Sequence, residues 1–227
     1  MILGVHFTSS SVVATILTRG ASANPRMFTG AAADGAGLPK DLLAALSLAP
    51  FNPAVLDSTF QQRQYAAALL QFGFSASDVG GALAGGVTLV VLPSAADPTV
   101  PIFAIRLRPD NMGATRSLIS RITGGSAANV DVQTSGPYLY IGQSSTDLQD
   151  AMTRMSASGP KLGSLPAYQS AVPGSGVLVG YADLSKLIAM SPGAPVDARK
   201  LNSVGMLMKL DPANPSDGTF TLTLTVK

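Results

Sequence analysis

With 227 residues, 46% hydrophobic and only 12% charged side chains, and a net charge of +2, the chain can bury a substantial core. Its lysines and arginines are scattered singly, which argues against nucleic acid as a partner, because phosphate binding needs concentrated positive charge. There is no cysteine and no glutamate, so disulfides, thiolate chemistry and glutamate acid–base catalysis are excluded.

Residues 2–7 and 12–18 read as a hairpin turning at Ser9-Ser10-Ser11, with β-branched residues frequent on both arms. Residues 19–37 are rich in Gly, Ala, Ser and Asn without a period, which predicts a linker. A strand follows over about 43–49. Asn52-Pro53 has the pattern of a helix start, with Leu56, Phe60, Ala67 and Leu70 on one face and Gly73 as the stop. Ser75 to Asp78 opens a short helix through Ala84. "GVTLVVLP" predicts a strand buried on both faces. "PIFAIRLRP" predicts the next strand, with Arg106 and Arg108 on one side.

Asp110 or Asn111 then caps a helix that buries Leu118, Ile119 and Ile122 and stops at Gly124-Gly125. "NVDVQTSGPYLYIG" predicts a second hairpin, turning at Ser135-Gly136-Pro137. Thr146 and Gln149 match a capping box, followed by Leu148, Met152 and Met155 at helical spacing. "LPAYQSAV" predicts a short helix, "GVLVGYADL" a strand running into a helix over 184–190, and "DARKLNSV" a further short helix. The chain closes on a hairpin with a long turn over 211–218. Thr219, Thr221, Thr223 and Thr225 alternate with Phe220, Leu222, Leu224 and Val226. Period-two alternation predicts that the threonine row faces solvent and the apolar row faces the core.

This order predicts an α+β fold: a mainly antiparallel sheet with helices packed on one face, ending in a long β-hairpin. The division expected is a hairpin over 1–18, a linker over 19–37 and one α+β domain over 38–227. The opening hairpin resembles the closing one, which suggests that it is the end of an upstream copy of the same unit, docked on this domain's sheet. Its many apolar residues, from Ile2 to Ile16, call for such docking. No run of about 18 apolar residues is present to span a membrane, and no basic segment of a signal peptide precedes the first strand. A targeting segment of an exported protein would therefore lie upstream.

"GLPKDLLAALSLAPFNPAVLD", "GVTLVVLP", "PIFAIRLRPDNMGATRSLISRI", "GPYLYIGQSSTDLQDAM" and "GVLVGYADLSKLI" follow one another over about residues 37–227. In this order they resemble a bacterial domain-of-unknown-function family, frequent in high-GC Gram-positive bacteria. Its members are membrane-anchored, with a cytoplasmic segment, one transmembrane helix and a repetitive exported domain. The resemblance implies an extracytoplasmic location in the cell envelope and carries over no catalytic residue.

Candidate chemistry is sparse. His6, the one histidine, would have to serve any Ser-His-Asp triad, yet it sits mid-hairpin as an outward polar position. Ser158 and Lys161 match S-x-x-K in letters, but Gly159-Pro160 between them breaks the helical turn that motif needs. Gly174 to Gly176 precedes a strand and so reads as a turn, not a phosphate loop. Asp131, Asp147, Asp150 and Asp183 could supply a carboxylate pair, and Asp183 at a strand–helix junction reads first as an N-cap. Metal ligands do not cluster. Met112, Met152, Met155, Met190, Met206 and Met208 could line an adaptable apolar pocket, although core packing explains them as well.

The expectation is thus a non-enzymatic extracytoplasmic domain with no catalytic, cofactor or metal residues, acting by protein interaction or as a structural module. A carrier of a hydrophobic or lipid ligand and an unrecognised hydrolase are the alternatives. An interaction module should expose an apolar patch or a free strand edge. A carrier should hold one large apolar cavity, and an enzyme should converge polar side chains in a cleft.

Overall fold

Alternation of apolar residues dominates the chain, and the fold is accordingly built on a sheet. The computed structural model describes residues 2–18, 28–29, 31–52, 54–55, 71, 73–123, 130–191, 193–211, 213–214 and 217–227. In chain order the strands are β1 (Ile2–Phe7), β2 (Ser11–Thr18), β3 (Ala44–Leu48), β4 (Val87–Pro93), β5 (Pro101–Leu107), β6 (Asp131–Ser135), β7 (Tyr138–Gly142), β8 (Leu178–Asp183), β9 (Leu201–Leu210) and β10 (Gly218–Val226). The described α-helices are α1 (Ala76–Leu83), α2 (Met112–Ile122), α3 (Ser145–Ser156), α4 (Pro166–Ala171) and α5 (Leu184–Ala189). All ten described strands join one antiparallel sheet in the order β1-β2-β10-β9-β8-β3-β4-β5-β7-β6. The protein is therefore α+β, mostly sheet, with its last two strands forming a hairpin.

That order is symmetric about the central β3–β8 pair. Outward on one side run the hairpin β4–β5 and then the hairpin β6–β7, with β7 inside. Outward on the other side run the hairpin β9–β10 and then the hairpin β1–β2, with β2 inside. The connections 94–100 and 211–217 are equal in length. The opening hairpin thus occupies, in its half of the sheet, the place that β6–β7 occupies in the other. By position in the sheet its counterpart is the hairpin over 131–142.

Strand register assigns every side chain to a face. One face, here the front, carries Thr88, Val90 and Leu92 of β4, Val179 and Tyr181 of β8, and Leu207 of β9, all buried. α3 lies over β5, β6 and β7 on this face, where Leu148 meets Gly142, and α4 lies over β9 and β10. The chain over 31–43 also crosses the front: the Ala33 amide donates to the Gly176 carbonyl, and Leu38 and Leu162, joined by a backbone bond, are buried. Residues 28–29 and 31–37, expected as linker, are thus part of the packed structure, because small residues let the chain lie flat against the sheet. At Gly205 an added Cβ would run into the Ala171 carbonyl of α4. Gly205→Ala is expected to cost about 1–3 kcal/mol by overpacking, whereas Gly81→Ala, in α1 with open space around its position, should gain about 0.5–1 kcal/mol of helix propensity. Urea denaturation of the two variants checks this; equal losses would sink it.

The other face, the back, contains no charged side chain at any of its ten-strand positions. α2 packs there, with Ile119 against Leu107 and Leu139 and with Leu83 of α1 beside them. Helices therefore occupy both faces, where one was expected, because the back of β5 and β7 is as apolar as the front. β4 is correspondingly not buried on both sides: its burial alternates, with the front row closed and the back row half-exposed.

Capping fixes the helix starts. Ser75 and Asp78 form a reciprocal capping box on α1. Asn111 Oδ1 accepts the Ala114 amide at 3.0 Å to start α2, and Ile122 at its end is exposed instead of buried. The cap on α3 lies two residues earlier than expected and is a one-way cap, not a box: Ser144 Oγ accepts the Asp147 amide at 3.2 Å, and Thr146 sits inside the first turn. "DARK" forms one 3-10 turn, and the expected helix goes no further because Leu201 begins β9. Of the helix expected over 52–72, residues 54–55 and 71 are helical, Asn52 is described and lies before the helix, and the rest lies outside the described residues. Gly73 adopts φ +69°, suited to a helix stop.

Register also overturns the layering of the closing strand. Thr223 and Thr225 are buried on the front under α4, while Leu222 on the back is exposed. Thr225 can be buried because its hydroxyl is satisfied: the Ser203 and Thr225 hydroxyls lie 2.7 Å apart, and Thr225 Oγ1 accepts the Ser203 amide at 3.0 Å.

Candidate functional site

Among the described residues two places have the character of a site. The first is a cleft of about 250 Å³ on the front, lined by Asp34, Gly85, Gly86, Thr88, Arg106, Arg108 and Tyr138. β5 brings Arg106 there, and the crossing chain brings Asp34. Arg106 Nη2 lies 2.9 Å from Asp34 Oδ2, and its guanidinium stacks over Tyr138 at 4.9 Å from the ring centroid. Ser47 Oγ donates to the Asp34 carbonyl at 2.9 Å and to Thr88 at 3.3 Å. Asp34, Arg106, Thr88 and Ser47 thus engage one another, and the cleft's volume falls below the roughly 300–1,000 Å³ of small-molecule pockets. The arrangement anchors the crossing chain to the sheet. A second cleft, of about 340 Å³, opens beside Leu17, Lys209 and Asp217 at the other end of the front.

Deeper on the front, Tyr168 and Tyr181 meet edge to face at 5.3 Å. Burial pushes the Tyr168 hydroxyl up to about 12, helped by the negative Asp34 nearby. Burial likewise pushes Tyr181 up to about 12, with Asp183 adding to it. The Tyr181 hydroxyl is buried without a hydrogen bond of normal geometry. Because these folded values exceed the unfolded value of about 10, the unfolded chain loses its protons first as pH rises. Their contribution to stability is complete below pH about 10 and disappears by about 12. Stability should therefore fall by on the order of 2 kcal/mol per tyrosine between those limits. The double variant Tyr168→Phe/Tyr181→Phe should flatten that fall in urea denaturation. An undiminished fall in the variant would exclude these tyrosines as its source.

The second place is the outer ribbon β1–β2. All six residues of β1 are exposed, with Leu3 at 63%, Val5 at 53% and Phe7 at 70% on the back and Ile2 at 58% on the front. β2 pairs with β10 over eight residues and is half-buried. The expected need to remove the hairpin's apolar residues from water is thus met by β2 alone.

The residues singled out from sequence are spread over the molecule. His6 is exposed on the front of β1. Lys161 Nζ donates to the Ala157 carbonyl at 2.6 Å, remote from a helical pairing with Ser158. Gly174 has φ +118°, as a turn requires. Asp131 accepts from Gln133 at 2.7 Å, Asp147 caps α3, Asp150 pairs with Arg154 at 2.7 Å, and Asp183 caps α5 by accepting the Lys186 amide at 3.0 Å. Met155 is in the core, with Met152 packed against it, while register places Met206 and Met208 on the half-exposed back. Among the described residues no three His or Asp side chains lie together as metal ligands would. Nothing in the sequence points to the Asp34–Arg106 pair; its one local trace is the turn at Asp34, whose Oδ1 accepts the amide of Gly37, three residues on, at 3.2 Å. Comparison with protein-family models, with curated proteins and with solved structures finds no match to this chain.

Proposed function

We propose that this chain is a non-enzymatic interaction module, and that it belongs to a membrane-anchored protein of the cell envelope and acts outside the cytoplasmic membrane. The observation that carries the interaction reading is β1: an unblunted edge strand, exposed on every residue, continuous with a sheet face that has no charge. Exposed apolar patches of this kind mark contact sites in folded proteins. The envelope location rests on the sequence resemblance alone. No described helix is long and apolar enough to cross a membrane.

The carrier reading has less support. The apolar side chains of the ribbon lie on an open surface, where a carried lipid would stay in water. A photoreactive amino acid placed at Phe7, in the cell that makes the protein, should yield a defined adduct. The same group at Thr134, on the opposite edge of the sheet, should not. Absence of a position-7 adduct, or equal labelling of both edges, would remove the interaction reading. Recovery of the native protein in the cytosolic fraction would remove the location.

A further inference from the structure

We propose that β1 is the pairing strand of a two-fold dimer of this chain, in which β1 of a second copy lies antiparallel to it and continues the sheet. The inference rests on the interaction-module reading and names its partner.

The two ends of the sheet differ in how they meet water. At one end β6 reads Asp-Val-Gln-Thr-Ser, with Asp131 and Gln133 bonded to each other at 2.7 Å and Thr134 accepting from Arg116 at 3.3 Å. Such polar, charge-bearing edges resist pairing. At the other end β1 reads Ile-Leu-Gly-Val-His-Phe, without an acidic or basic chain beyond His6, without proline and without a register shift against β2. The pseudo-symmetry of the sheet makes these strands equivalent in position, so the contrast lies in their chemistry alone.

The hairpin turn determines how a partner must sit. The Thr8 amide donates to the Ser11 carbonyl at 2.9 Å. By antiparallel alternation the even residues of β1 then bond inward to β2, and Leu3, Val5 and Phe7 direct their N–H and C=O groups outward. A two-fold axis through Val5 places Leu3 opposite Phe7 of the second copy and Gly4 opposite His6. All three outward residues then exchange paired backbone bonds, apolar backs continue one another, and the imidazole of His6 finds room above Gly4, which has no side chain. The strand is self-complementary in the one register family its free hydrogen bonds allow, and antiparallel pairing is the mode of every other strand pair in the sheet.

The ladder is about 20 Å long at 3.4 Å per residue. An interface of that length falls in the small class, below about 1,200 Å² in total, which dissociates readily. A concentration-dependent dimer is expected, not an obligate one.

Sedimentation velocity of the full chain, from low-micromolar to sub-millimolar concentration, should show a monomer–dimer equilibrium. Val5→Lys sets two ammonium groups against each other on the axis and should weaken the dimer by on the order of tenfold or more. Because Val5 is exposed, its melting temperature should stay unchanged. Thr134→Lys on the far edge should leave the dimer intact. The chain has no cysteine, so Val5→Cys should form one intermolecular disulfide on oxidation, and Thr134→Cys none. A monomer at every concentration, or a dimer indifferent to Val5→Lys, overturns the dimer. If a position-7 photo-adduct with another protein persists in that case, the interaction module stands with a different partner. If no such adduct forms, both readings fall.

Discussion

Thr225→Asp is expected to destabilise the protein by about 3–4 kcal/mol, while Leu222→Asp, three residues away on the same strand, should cost roughly 1 kcal/mol. A reading of the strand by hydrophobicity alone predicts the reverse. Thr225 is only 4% exposed, and Ser203 is fully buried against it. Its hydroxyl both accepts the Ser203 amide and faces the Ser203 hydroxyl at 2.7 Å, and Ser203 in turn donates to the Ala167 carbonyl of α4 at 3.2 Å. A carboxylate in this position would be buried without a cation, and it would repel the Ala167 carbonyl that the serine now satisfies. Leu222 is 38% exposed on the back, so a charge there keeps much of its water. For a domain of this size each kcal/mol moves the melting temperature by about 2–4 °C, so thermal denaturation separates the two variants readily. Equal losses would mean that the front and back of β10 are interchangeable.

The reason for the inversion also explains how much of the fold is legible in the sequence. Alternation locates strands well, because the side-chain period is a property of the extended backbone itself. The bounds of β4, β5, β7 and β10 follow from it closely. Alternation does not say which row is inside when the threonine row can satisfy its hydroxyls and the apolar row is half-covered. That choice is made by α4, a partner some fifty residues away in the chain, whose backbone carbonyl meets Ser203. Likewise "GVTLVVLP" is apolar on both rows, and only the placement of neighbouring elements leaves one row half in water. Helix starts were readable to within two residues because Ser, Asn and Asp oxygens bond locally.

The candidate site was less legible, and for a physical reason. Asp34 and Arg106 meet across 72 positions of sequence, in a segment whose composition resembles a linker. Small residues can mean either a chain free in solvent or a chain that must lie flat on a sheet, and Ala33 and Gly35 do the latter. Gly35 has no room for a Cβ, which would contact Val179 and the Tyr168 hydroxyl. The exposure of β1 had no sequence signature at all. Ile2, Leu3, Val5 and Phe7 read as core, since nothing local reveals that β1 is the last strand of a sheet.

Removal of residues 1–18 is expected to have the largest effect of all, lowering the melting temperature by on the order of 10 °C or more. β2 pairs with β10 from Thr18–Gly218 to Ser11–Thr225, so the deletion strips the whole ladder from one side of β10. On the back, Phe220, Leu222 and Leu224 lose Ile16, Ala14 and Val12 as cross-strand neighbours. On the front, the buried Thr223 and Thr225 lose the strand that shields them. Val12, Val13 and Ile16 are half-buried, each contributing roughly 1 kcal/mol by burial, and β10 becomes a bare edge. The loss should come from β2, not β1. Polar substitutions of Leu3, Val5 or Phe7 one at a time should therefore barely move the melting temperature of the monomer. Hydrogen exchange divides the ribbon the same way. Amides of β2 should be protected, and those of Leu3, Val5 and Phe7, which point away from β2, should exchange fast in dilute solution and slow as concentration rises. A truncated chain that melts as the full one does would show that the hairpin is an appendage, and that the symmetry of strand order about β3 and β8 has no energetic content.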